Sequence, residues 1–300
     1  MFDPRALLTR QFTGEREDYG PDKTILHALA VGVGLAEEAE AVDFLYEAGL
    51  KTLPTLALVL GGDAGMWFKR PSSGIDPSRV LHLAQKIVTH DVLPPSGSVI
   101  ATNRVDSVHD RGAKGAVLIQ SRSVCDAITG GAYATVTSTL LLRGQGGFGG
   151  SAPPPRTRFP WPERRCDDEL ICATTPQQAA LYRLLGDRNS LHIDPGAARL
   201  AGFDRPILHG MCTFGIAAYG LCRLVEVPPS RLLDLEAEFS AAVFPGEALL
   251  VRAWHEDQAV RFRVIAQERD IVVMDNGRAR FSPAVTDETA SDFAAPGCAR

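Results

Sequence analysis

Apolar and polar positions alternate along two separate stretches of the chain, and each alternating stretch follows a segment with helical period. In the first half, a helical pattern over residues 27–48 precedes strand-like runs at 80–90, 98–109, 116–126 and 132–143. In the second half, a helical pattern over 206–225 precedes runs at 232–244, 248–255, 260–267 and 271–281. Val92-Leu93-Pro94 in the first half is echoed by Val243-Phe244-Pro245 in the second, and a turn bearing Gly97 or Gly246 follows each. An order that repeats in this way predicts an internal duplication. One long helix followed by hairpin-connected strands is the pattern of an antiparallel sheet wrapped round a helix, an α+β layout. Two such copies can join edge to edge into one sheet, which covers two exposed edges.

The stretch 151–162 separates the halves. It holds five prolines in twelve residues, which neither a helix nor a central strand tolerates. The expected division is a first repeat over 1–150, an extended linker over 151–162 and a second repeat over 163–300.

Composition narrows the class. The 300 residues are 45% apolar and 22% charged, as in globular domains, and the net charge of −5 argues against bulk nucleic-acid binding. The longest apolar segment, 207–222, has 16 residues and carries His209. A membrane span needs about 20 residues, so this segment reads as a buried core helix, and no membrane partner is expected. The cysteines are Cys125, Cys166, Cys172, Cys212, Cys222 and Cys298, with no C-x-x-C and no zinc-finger spacing. No metal is expected, nothing at the start resembles a secretory signal, and a reducing cytoplasm is the expected compartment.

One motif misleads. Gly144-Gln145-Gly146-Gly147-Phe148-Gly149 spells G-x-G-x-x-G, but a dinucleotide site needs a helix immediately afterwards and the proline linker follows instead. The glycines read as a strand exit, not as a nucleotide cradle.

The chemistry concentrates between Tyr182 and Gly210. Residues 177–185 form a plausible helix, with Thr175 as cap, Pro176 at its first position and Gly186 as terminator. A loop over 187–194 follows, and Asp194 has a complete structural role as cap of a helix beginning at Pro195. Asp187 and Asn189 each suit a local turn, and His192 alone suits core packing. Together they bring a carboxylate, an amide and an imidazole within reach of one water, which proton transfer requires. Arg205-Pro206-Ile207-Leu208-His209-Gly210 then leads into the apolar helix. Free N–H groups and the positive dipole end at its start suit an oxygen that gains negative charge. Gly210 has two readings, close approach of a substrate oxygen or helix–sheet packing, and the role of His209 stays open.

At these residues the chain resembles the MaoC-like family, specifically its type 2, (R)-specific enoyl-CoA hydratases in their two-repeat form. The family motif, an aromatic followed by Gly-Asp-x-Asn-Pro-Leu-His, is matched by Tyr182 and by Gly186-Asp187-Arg188-Asn189-Ser190-Leu191-His192. The likeness continues through Ala198, through Ala201 to Gly210, and through Cys212-Thr213-Phe214-Gly215. Ser190 stands where the family has proline, and Leu185 where it has a small residue. The resemblance implies a double hot-dog fold, with Asp187 and His192 on the water, Asn189 supporting them and the Gly210 N–H polarising a thioester carbonyl. It also implies a first repeat without the acid–base loop, and an acyl-CoA cleft lined by His82, Leu83, Arg111, Arg188, Ser190, Leu191 and Phe239. Arg111 has the competing reading of a solvated turn residue.

The expected activity is reversible hydration of a trans-2-enoyl-CoA to the (3R)-3-hydroxyacyl-CoA by a homodimer, with no cofactor beyond the thioester itself. The alternatives are another acyl thioester, whether branched, sterol side-chain or carrier-protein bound, and a non-catalytic acyl-CoA-binding protein. An oxidoreductase rests only on the glycine motif.

Overall fold

A computed structural model describes residues 2–283 except 15, 37–38, 156–157 and 159–160. Cys298 and four linker positions therefore lie outside the described residues. Among the described residues eleven strands form one antiparallel sheet. They are β1 (Gln11–Thr13), β2 (Glu17–Tyr19), β3 (Val80–Thr89), β4 (Gly97–Asp110), β5 (Ala116–Asp126), β6 (Ala132–Leu142), β7 (Asp168–Cys172), β8 (Leu232–Phe239), β9 (Leu249–Glu256), β10 (Ala259–Ala266) and β11 (Ile271–Phe281). The α-helices are α1 (Pro4–Leu8), α2 (Pro21–Ala30), α3 (Val42–Leu45), α4 (Gln178–Tyr182), α5 (Pro195–Leu200) and α6 (Gly210–Leu224). The strand order is β1-β4-β5-β6-β3-β8-β11-β10-β9-β7, with β2 also on β4.

The two halves meet edge to edge, as the repeated pattern implied. The seam is β3 against β8, in register from Ala84 opposite Glu238 to Val88 opposite Asp234. A register shift in β3 falls between His82 and Ala84, which leaves Leu83 as an extra residue. Strict alternation would place His82 on the same face as Ala84. The shift instead puts it opposite Leu140, which belongs to the buried face that packs on Trp67. A bulge thus re-aims one side chain at the end of the seam.

The helix over 27–48 is corrected. The chain is helical earlier, from Pro21 after Gly20, and stops at Ala30 because Gly32 and Gly34 take left-handed φ values of 91° and 79°. Among the described residues of that stretch, a short turn at Ala39–Ala41 and the four residues of α3 are helical. The second-half helix starts at Gly210 and not at Pro206, because the Leu208 N–H pairs with the Val243 carbonyl at 2.7 Å and holds that stretch extended. The short strands β1, β2 and β7, of three to five residues, carry too few alternations to be read from sequence.

α6 is buried on every side from Cys212 to Cys222. Its glycines allow two close approaches: a Cβ at Gly215 would lie 2.6 Å from Val31 Cγ1, and one at Gly220 would lie 2.6 Å from Cys172 Sγ. The helix is therefore clamped between the first half and the sheet. The glycine-rich exit at 144–149 closes on its own chain. The N–H groups of Gly147 and Gly149 donate to the Asp110 carboxylate, each at 2.7 Å. A protein carboxylate occupies the donors that a phosphate would need.

Gly220→Val should destabilise the fold by about 1–3 kcal/mol, because overpacking against Cys172 outweighs the gain in helix propensity of under about 1 kcal/mol. A denaturant midpoint equal to that of the parent would show that the helix does not sit this close to β7.

Candidate active site

The sequence builds the site from one loop and one helix start. α4 runs into a tight turn at Arg183–Leu185, and Gly186, at φ 129°, ends it. At the other end of α4 the Gln178 side chain accepts from the Thr175 N–H at 3.1 Å, so Thr175 and Gln178 close the helix start, although Gln177 and not Thr175 occupies the cap position. Asp187 Oδ1 accepts from the Asn189 N–H at 3.2 Å, and Asn189 Oδ1 accepts from the Leu191 N–H at 3.2 Å. These two Asx-type bonds fold Ser190–His192 into a single helical turn. Asp194 caps α5 through the Gly196 N–H at 2.7 Å, which fixes the far end of the loop.

His192 Nδ1 lies 2.9 Å from the Ile207 carbonyl. A carbonyl only accepts, so Nδ1 carries the hydrogen and Nε2 keeps its lone pair. His209, at the N-cap of α6, has Nε2 3.1 Å from the Asp187 main-chain carbonyl. By the same logic its Nδ1 is the unprotonated nitrogen, and it is buried with no protein partner. The loop histidine thus bonds to the stretch leading into the helix, and the helix-start histidine bonds back to the loop. The two rings stack with centroids 3.7 Å apart.

Asp187, His192 and His209 each bring one donor-type atom to within 4.8 Å of the others. Three such atoms are a candidate ion site. Stacked imidazoles, however, hold their in-plane lone pairs in nearly parallel layers, whereas an ion needs them to converge at about 2 Å. A water, bonded at longer distances, suits the cluster better.

Burial sets the charges. It pushes His209 down to about 3, with the His192 ring adding to the effect. Burial also lowers His192, against the opposing pull of its Ile207 bond and of Asp187. Burial acts to raise Asp187, but His209, Lys69, His192 and the Asn189 N–H outweigh it and hold the carboxyl below its usual range. The resting pair is a carboxylate beside a neutral imidazole.

No side chain caps α6, so the first N–H groups of the helix face the site without an internal acceptor. An added Cβ at Gly210 would lie 3.3 Å from the Phe239 ring, which is tight without being prohibitive. Phe239 in turn packs on His82, with ring centroids 4.8 Å apart. His82 is driven down to about 4 by burial, and it also feels the Asp187 charge. Asp187, Asn189, His192, Gly210, Phe239 and His82 therefore converge, with Leu83 as the bulge residue beside them. Arg188 and Ser190 are exposed on the loop and Leu191 is half-buried. Arg111 lies in the β4–β5 turn and lines a groove of about 350 Å³ with Val117, Pro153, Pro154 and Arg158. Among the described residues it makes no recorded contact with the acid–base loop. Sequence reasoning missed Lys69, whose ammonium reaches Asp187 Oδ1 at 3.4 Å from 118 positions away. No periodicity or motif marks it.

Comparison with known proteins places this geometry. The family model described as MaoC like domain matches residues 160–276, and that described as MFE-2 hydratase 2 N-terminal domain matches residues 18–144. The chain belongs to the MaoC-like family. This MaoC-like protein is 35% identical over 237 residues to 3-hydroxyacyl-thioester dehydratase Y of Mycobacterium tuberculosis, covering 78% of this chain and 81% of that one. It is 31% identical over 294 residues to the peroxisomal enoyl-CoA hydratase 2 of Arabidopsis thaliana, covering 91% and 94%. The crystal structure of a MaoC-like dehydratase from Phytophthora Capsici superposes with a TM-score of 0.81 at 27% identity, over 93% of this chain and 98% of that one. The fold is the double hot-dog of these proteins. The plant relative is peroxisomal by name, a compartment other than the cytoplasm expected from the cysteines. No described helix is long and apolar enough to cross a membrane.

Neutral buried histidines have a consequence for stability. His27, also pushed to about 3 by burial, and His209 are each 1% exposed. Their folded values lie below the unfolded value of about 6.5, so the unfolded chain takes up protons first as pH falls. Stability is full above about 6.5 and declines toward 3, by up to about 1.4 kcal/mol per pH unit for each histidine. Urea midpoints should drop markedly between pH 7 and pH 5, before the carboxylates titrate. A flat profile over that interval would show that both rings take up protons in the folded protein as readily as in the unfolded chain.

Proposed function

We propose that this protein catalyses the reversible syn hydration of a trans-2-enoyl-CoA to the (3R)-3-hydroxyacyl-CoA. The observation that carries the reading is the carboxylate–imidazole pair of Asp187 and His192 set beside the uncapped start of α6. The family and the names of its relatives support the substrate class.

In this reading a water sits between Asp187 and His192 Nε2, and the thioester carbonyl accepts from the Gly210 N–H. The water oxygen bonds to C3 while one of its protons passes to the pair. The C2–C3 π electrons move toward the thioester, and the enolate-like charge on its oxygen is held by the helix start. The pair then returns a proton to C2 on the same face, which makes the addition syn. In this reading the proton taken from the water is held by the two groups together, whichever of them bears it. The thioester takes the developing charge, so the scheme invokes no redox cofactor. Reversal of the same steps is dehydration, the direction named for the mycobacterial relative.

Asn189 supports the turn that presents His192. Phe239, His82 and Leu83 form the wall nearest Gly210, and the first half houses the acyl chain and CoA. The exposed residues Arg188 and Ser190, with Leu191 and Arg111, are the groups proposed to meet the CoA portion.

Asp187→Asn and His192→Ala should each reduce hydration by about 10²–10⁴-fold in folded protein, since each removes a proton-transfer group. The check is loss of the enoyl thioester with chiral analysis of the product. Turnover close to the parent rate in either variant, or an (S) product, would overturn the assignment.

A further inference from the structure

The first half contributes more than a wall. The segment Gly62–Lys69 crosses the buried face of the sheet and is pinned along its length. Before it, Glu17 Oε2 accepts from the Gly61 and Gly62 N–H groups at 2.6 and 2.7 Å. Within it, Trp67 is fully buried, stacks on Phe12 at 4.2 Å and donates from Nε1 to Gln120 Oε1 at 2.7 Å. Just beyond it, Ser73 Oγ donates to the Phe68 carbonyl at 2.8 Å. Lys69 is thus carried on an anchored segment, two residues from the tryptophan, and its Nζ stands 3.4 Å from Asp187 Oδ1. Lys69 is an exposed residue whose side chain is 34% exposed, against 29% for the Asp187 side chain, so solvent screens the pair in part.

Apart from Lys69 and the arginines Arg183 and Arg188, the groups facing Asp187 lack a lasting charge at neutral pH. His209 from the start of α6 and His192 from the loop turn are both lowered by burial, as is His82 from β3. Tyr182 from α4 is raised by burial and stays neutral. Arg183 acts on His209 from the turn after α4, and Arg188 is exposed. Among the described residues, Asp187 forms its ion pair with Lys69.

We propose that Lys69 is a positioning residue for hydration, a cation from the half without the acid–base loop that orients the Asp187 carboxylate toward the water and keeps it ionised. This rests on the reading of Asp187 as one member of the proton-transfer pair. The Lys69 charge lowers both Asp187 and His192, so it favours the carboxylate and neutral imidazole from which the pair takes a proton. Loss of the charge lets Asp187 protonate at higher pH, and the acid side of the rate profile retreats upward.

The test compares Lys69→Gln, Lys69→Arg and the parent in kcat/KM against pH at low ionic strength. On the acid side Lys69→Gln should fall roughly two- to fivefold relative to its own plateau, the size that a partly exposed ion pair supports. Lys69→Arg should track the parent. Added salt should move the parent toward Lys69→Gln and leave Lys69→Gln unmoved, because the pair is screened. An unchanged acid side in Lys69→Gln, or a Lys69→Arg profile equal to that of Lys69→Gln, overturns the proposal. So does a rise in KM alone, which would make Lys69 a group for binding acyl-CoA. A carbon-detected NMR titration of the Asp187 carboxyl in parent and Lys69→Gln reads the same charge effect without turnover. An upward displacement in the variant supports the proposal, and coincident curves sink it, even where the hydratase reading itself fails.

Discussion

The site depends on a reciprocal pair of bonds between two histidines and two carbonyls. His192 on the loop donates to the Ile207 carbonyl ahead of α6, and His209 at the helix start donates back to the Asp187 carbonyl on the loop. Neither bond involves the atoms that would touch a substrate. Each fixes a tautomer, and so each decides which nitrogen is left with a lone pair. The stacked rings leave little freedom for the loop to shift against the helix. Proton transfer needs groups held to within a few tenths of an ångström of a productive geometry. Here the loop that carries the proposed acid–base pair and the helix that would receive the oxyanion behave as one body. Burial keeps both imidazoles neutral, and two imidazolium rings could not stack at this distance without strong repulsion.

That rigid body sits where the two halves join. The seam of β3 and β8 ends at His82 and Phe239, and the bulge at Leu83 turns His82 onto the buried face. Phe239 then lies against Gly210. The proposed oxyanion donor therefore rests on a second-half ring that is itself backed by a first-half imidazole. Farther along α6, Gly215 admits Val31 and Gly220 admits Cys172. Close packing of one glycine-bearing helix against both halves sets the depth at which its N-terminus emerges.

Much of this was legible in the sequence because it is local. Alternation located the eight long strands, and the spacing from Asp187 to His192, with Gly186 before it and Asp194 after it, identified the loop. Resemblance, and not periodicity, supplied His82 and Phe239: a bulge flips a side chain without any signature in hydropathy. The first-half helix was misread because Gly32 and Gly34 were counted inside an apolar pattern, although two left-handed glycines end a helix whatever its period. Lys69 was invisible for a different reason. Its pairing spans 118 positions, and nothing in a one-dimensional pattern registers such a contact. Arg111 shows the converse, since a matching position lies by the linker and apart from the recorded contacts of the loop.

The shared sheet also ties the second half to the first. Separated at the linker, the second half would keep Asp187, His192 and Gly210. It would also expose the full edge of β8, a row of unpaired N–H and C=O groups that invites aggregation. It would lose the His82 ring behind Phe239 and the Val31 contact on Gly215. The first half is built differently. Its helix is cut to ten residues, and the chain beyond it forms short turns, among them the segment anchored by Trp67. Those turns occupy the buried face that a full-length helix would otherwise cover. A segment of the first half thereby lies beside the loop of the second, with Lys69 against Asp187.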